Sequence, residues 1–155
     1  MQTAPFFLIV IDTTQDIARI DQLSQVIRCV IVETNAAGKP EKLQVNESFL
    51  GFVTVVDQSA SDICDTIMKK CIVDNKLEMT KLRGQGYDGA ACMSGIYTGV
   101  QARILAVEPK AVYIHCAAHN LNLVLNDAVS HVTEVSNFFA VVEQIYVLFG
   151  QSISR

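Results

Sequence analysis

FVTVVDQSASDICDTIMKKC, residues 52–71, is where the sequence changes its period. Up to Asp57 the run is aromatic and β-branched, as a strand requires. From Ser59 onward the apolar residues Ile63, Ile67 and Cys71, joined by Cys64 and Met68, recur at helical spacing. Ser59 or Ser61 supplies the hydroxyl that caps such a helix. The residues before this switch read as strands, and those after it alternate between helix and strand.

Working backward, KLQVNESFLGFVTVVD (42–57) is preceded by TNAAGKP (34–40), whose Asn, Gly and Pro mark a turn. The run before it, LSQVIRCVIVE (23–33), is apolar on both alternating sets apart from Arg28 and Glu33, so the two runs pair antiparallel. FFLIVI (6–11) is a continuous β-rich run that predicts a strand covered on both faces and ending at Asp12. Working forward, EMTKLRGQGYDG (78–89) is a shorter strand ending at Asp88, and SGIYTGVQARILAV (94–107) is a helix closed by Pro109. AVYIHC (111–116) is a further strand, and the segments 117–130 and 133–150 each carry an apolar helical stripe.

The resulting order is β, β, β, α, β, α, β, α, α. Few topologies join an antiparallel meander to later right-handed βα crossovers. The order predicts an α/β fold with a ribonuclease H-like core, in which three antiparallel strands lead into alternating helices and strands of a mixed five-stranded sheet. At 155 residues, half of them hydrophobic, the chain reads as one domain spanning 1–155 with a sizeable core.

In such a sheet the first and fourth strands are neighbours, which brings Asp12 and Asp88 toward one edge. Two carboxylates there suit a hard divalent cation, Mg2+ or Mn2+, and a pair of such ions about 3.5–4 Å apart serves phosphodiester chemistry. An aspartate at a strand end is also an ordinary turn former or cap, and the shared edge is what favours the metal. Asp16 suits a cap or brace for its loop better than a ligand position, though it is the main competitor for the first ligand. Four of the eight glycines lie in RGQGYDGAACMSG (83–95). Gly84, Gly86 and Gly89 spell G-x-G-x-x-G, but Asp88 stands where a phosphate would be repelled. Cys116 and His119 have the spacing of half a zinc site with no second half visible, so His119 is expected to touch phosphate or nucleotide while Cys116 packs. His115 reads as a strand-end residue with its own hydrogen-bond partner.

The net charge of −4 gives no basic footprint for DNA, although Lys69, Lys70, Lys76, Lys81 and Arg83 could form a local positive patch. Five cysteines, an odd number without a CxxC pair, read as reduced intracellular thiols. The apolar opening lacks a basic n-region and is cut by Asp12, which argues against a signal or membrane anchor.

The stretches 11–30, 49–57, 82–104 and 109–129 together resemble the catalytic core of hAT-family DNA transposases, nearest to transposon-derived proteins of the MYM-type zinc-finger-like and repressor-of-the-inhibitor-of-protein-kinase-like kinds. The resemblance covers nearly the whole chain. It implies an Asp, Asp, Glu metal site that cuts and joins DNA, with Asp12 and Asp88 as the first two acids and Cys116 and His119 as the CxxH element beside them. Where the family reads Asp-Glu-Thr-Thr-Asp, this chain has Asp12-Thr13-Thr14-Gln15-Asp16, so both aspartates are kept in an altered loop. The family's third acid follows a long helical insertion, and Glu143 does not correspond to it. The resemblance therefore predicts a partial domain with weak or absent strand chemistry, weak or assisted DNA binding, protein partners or a homo-oligomer, and a nuclear location.

Overall fold

A computed structural model describes the backbone of residues 4–152 and the side chains of residues 4–149. Two compact units divide the chain, Met1–Cys116 and Ala117–Arg155.

The first unit is built on a five-stranded sheet. β1 (Phe7–Gln15), β2 (Asp21–Thr34) and β3 (Pro40–Thr54) form the antiparallel meander. α1 (Ala60–Thr66) follows and widens into a π-helical turn, Ile67–Val73. Ser59 caps α1, its Oγ accepting from the Asp62 N–H at 3.3 Å. A 3-10 turn, Met79–Lys81, leads into β4 (Leu82–Tyr87); α2 (Ala91–Ser94), α3 (Val100–Val107) and β5 (Val112–His115) complete the unit. The strand order is β3-β2-β1-β4-β5, with β4 parallel to β1 and β5 parallel to β4. This is the mixed five-stranded α/β architecture that the element order predicts.

Two expectations change. β1 does not end at Asp12, because Asp12–Gln15 continue to pair with Asp21–Ser24. The Asp16 carboxylate closes that hairpin, accepting from the Ile20 N–H at 2.8 Å and the Gln22 amide at 3.2 Å. β1 is also not uniformly covered: Phe7, Ile9 and Ile11 are buried while Leu8 and Val10 are half-buried, so its two faces differ. The segment expected to be one helix from Ser94 is instead α2, a turn over Gly95–Gly99, and α3.

The core follows from alternation along the strands. Ile9, Ile11, Leu23, Ile27 and Tyr87 join Ile63 and Ile67 of the α1 segment and Val100 and Ile104 of α3 in one buried cluster. Each fully buried side chain of this size contributes roughly 1.5–3 kcal/mol. One buried polar side chain, Gln85, is held in a bonded set. The Gln85 amide donates to the Ala111 carbonyl at 2.8 Å and the Gln101 carbonyl at 3.2 Å, and its Oε1 accepts from the Tyr87 hydroxyl.

The second unit is a helix pair, α4 (Ala117–Ser130) and α5 (Thr133–Ser152), with a bend of 119° between them. α4 has no buried residue, and Leu121, Val124, Phe138 and Ile145 are exposed. Among the described residues no single helix is long and apolar enough to cross a membrane.

Candidate metal edge

The two predicted acids stand beyond the end of the parallel ladder between β1 and β4. Leu8 pairs with Gly84, Ile9 with Gln85 and Val10 with Gly86. The ladder ends there, two residues before Asp12 on β1 and two before Asp88, which follows β4. Adjacent strands lie about 4.8 Å apart, which is within the span that two carboxylates bridge through one cation.

Asp12 lies within β1 and is exposed, and its backbone carbonyl accepts from the Ser24 hydroxyl at 3.2 Å. Asp88 follows β4 directly and is half-buried, with its Oδ1 accepting from the Ala90 N–H at 3.2 Å. Oxygen donors of this kind fit Mg2+ or Mn2+ chemically. Among the described residues no group of three or more His, Cys, Asp or Glu side chains is placed to hold a metal. Two carboxylates alone leave most of an octahedral shell to water or phosphate oxygens.

Asp16 belongs to the hairpin closure described above, so both of its oxygens are engaged in the turn. The brace, already one of the two readings from sequence, is what this geometry supports. Cys116 ends the first unit, its N–H donating to the Tyr87 carbonyl at 3.0 Å; His119 lies in the first turn of α4, in the second unit. Two members of the local positive patch are ion-paired, Lys70 with Asp74 at 3.2 Å and Lys81 with Glu78 at 2.8 Å. Arg83 instead lies over the Phe6 ring, 4.2 Å from its centroid.

Two residues on β5 hold the Asp88 segment, and sequence reasoning gave one no role and the other only a generic one. The Tyr113 hydroxyl donates to the Asp88 carbonyl at 2.9 Å, and its ring packs on Tyr87 with centroids 5.1 Å apart. Burial, then the neighbouring Asp88 and Cys116, push the Tyr113 hydroxyl above its ordinary pKa, so it stays a neutral donor. His115 stacks on Tyr113 and lies against Gly89, where a Cβ would stand 3.0 Å from its Nε2. Gly89 thus makes room for the imidazole. The available signal was the alternation of VYIH, which puts Tyr113 and His115 on one face of β5.

No solved structure matches the chain. A family model described as the ZMYM1/FAM200 RNase-like domain matches residues 3–99, more than half of the chain, and takes in β1 to β4 and both aspartates. On that match, the chain belongs to the ZMYM1/FAM200 RNase-like domain family.

Proposed function

We propose that this RNase-like domain derives from a DNA transposase of the hAT type and keeps a divalent-cation edge, formed by Asp12 and Asp88, that engages a nucleic-acid backbone in the nucleus. The observation that supports the reading is the parallel β1–β4 ladder, whose last pair, Val10 and Gly86, lies two residues before Asp12 on one strand and two before Asp88 on the other. Family membership supports the RNase-like part, and the resemblance of 82–104 and 109–129 to transposase cores supports the ancestry. A bound Mg2+ or Mn2+ would supply Lewis-acid charge to phosphate oxygens. Asp12 and Asp88 would hold it, Tyr113 would steady the Asp88 backbone, and Asp16 would keep the hairpin beside Asp12 closed. With only two carboxylates near this edge among the described residues, the expected behaviour is binding with little or no strand cleavage.

A metal titration of thermal stability tests the reading. Mn2+ at 100 times its Kd should stabilise the native chain by about 2.7 kcal/mol. Asp88→Asn should remove most of that response, and an equal response in the variant would refute the shared site. Robust metal-dependent nicking of DNA by this chain would instead refute the claim that two carboxylates bind without turnover.

A second reading is a protein-interaction module of nuclear regulation in which the acids are relics. It is favoured by the exposed aromatics Phe49 and Phe52 on β3, one of the two edge strands of the sheet. Mn2+-independent stability together with capture of a specific protein partner would support it.

A further inference from the structure

The turn between α2 and α3 displays its side chains from a closed neck. The Gly99 N–H donates to the Gly95 carbonyl at 3.0 Å, and the Gly95 N–H to the Ala91 carbonyl at 3.0 Å. A Cβ on Gly99 would stand 2.5 Å from the backbone N and O of Gly95, so this approach requires glycine. Arg103 braces the turn, its Nε donating to the Thr98 carbonyl at 3.1 Å, and the Gln101 amide holds the Ser94 carbonyl. The residues at the tip are apolar and face solvent: Ile96 is 72% exposed and Tyr97 is 88% exposed.

This rigid tip is tied to the candidate metal edge. The Ser94 hydroxyl donates to the carbonyl of Gly89, the residue after Asp88, at 2.9 Å. Tyr97 follows Ser94 by three residues, a chain reach of at most about 11 Å. Stacked DNA rises about 3.4 Å per nucleotide along a strand, so even the extended limit covers no more than about three nucleotides, and the closed turn holds Tyr97 nearer than that. An aromatic ring with both faces open, held by a preordered turn, offers a stacking surface at little entropic cost, and base stacking tolerates any sequence. The guanidinium of Arg103 adds positive charge beside it in a chain that is otherwise acidic.

We infer that Tyr97, presented by the Gly95–Gly99 turn, is a stacking platform for an unpaired base of a DNA strand whose backbone lies at the Asp12–Asp88 edge; the inference rests on the nucleic-acid reading above. Ile96 supplies apolar contact next to the base, and the neck glycines fix the distance from Asp88. Duplex DNA, whose bases are already stacked, is bound less well than a single strand.

Fluorescence anisotropy with labelled single-stranded and duplex oligonucleotides tests this on the 155-residue chain. A second set of single strands carries 2-aminopurine, whose emission is quenched by stacking. Tyr97→Ala is expected to raise the single-strand Kd about 5- to 100-fold and to abolish the quenching, while Tyr97→Phe keeps both within about twofold. Circular dichroism confirms that each variant is folded. Equal affinity in the native and Tyr97→Ala chains, unchanged quenching, or no single-strand binding by the native chain overturns the platform. Asp88→Asn in Mn2+ separates the two ideas. Loss of metal response was already the expectation for that variant; if instead metal never affects the native chain while Tyr97-dependent quenching persists, the metal edge fails and the platform stands. Metal response with indifference to Tyr97 fails the platform alone.

Discussion

Tyr113 is the side chain through which the rest of the molecule holds Asp88. Tyr113→Phe removes one hydrogen bond, worth about 1 kcal/mol, and keeps the ring packing on Tyr87. The expected result is faster amide exchange at 88–90 with a small loss of global stability, and exchange unchanged at those amides would show that the hydroxyl does not restrain them. Tyr87→Phe acts differently, because it strips the buried Gln85 Oε1 of its donor. It should cost about 1–3 kcal/mol in urea unfolding. Cys71 supplies a pH dependence. Burial pushes its thiol up to about 12 from the usual 9.0. Between those values the unfolded chain releases a proton that the folded chain retains, so stability is full below pH 9 and falls as pH rises toward 12, by up to about 1.4 kcal/mol per pH unit. Urea midpoints at pH 8 and pH 10 measure the decline, and Cys71→Ala should flatten it. None of these three roles is legible in sequence, because each depends on which strand lies alongside.

Among the elements, α1 and the α2–α3 turn carry the clearest dependence on single residues. Ser59→Ala removes the α1 cap and should cost about 1 kcal/mol. Gly99→Ala places a methyl against the Gly95 backbone, so the neck must open, and a loss of about 1–3 kcal/mol is expected in the same assay. The helical start at Ser59 could be read beforehand because capping and periodicity are local. The 3.6-residue period from Ser94 to Val107 was equally visible, yet the first helical residues there belong to a turn. Local pattern does not register that Gly95 and Gly99 approach each other. The hairpin misreading at Asp12 has a similar origin: polar residues at 13–15 look like a loop, but an exposed two-stranded extension accepts them, and Asp16 stabilises the turn beyond.

At the scale of the whole chain, the element order carried the topology, since a meander followed by βα crossovers leaves few sheets to build. The parallel pairing of β1, which carries Asp12, with β4, which Asp88 follows, was legible through that topology, whereas the β5 residues that steady Asp88 were not. The two units should also differ in local stability. β1, β4 and α3 place their apolar residues in a shared core, while α4 buries none. Hydrogen exchange of α4 amides is therefore expected to be faster than that of β1 and β4, and equal protection would contradict this. One further consequence follows from the β1–β4 ladder. Because the β1–β4 register is set by direct pairing between strands, chain added or lost at the tip of the β2–β3 hairpin does not alter it. The tip at Ala36–Ala37, between β2 and β3, is a natural point for inserting a reporter peptide, whereas a one-residue slip of β1 against its partners would turn its side chains to the opposite faces of the sheet. The domain can thus accept new sequence freely between its strands and almost none within them.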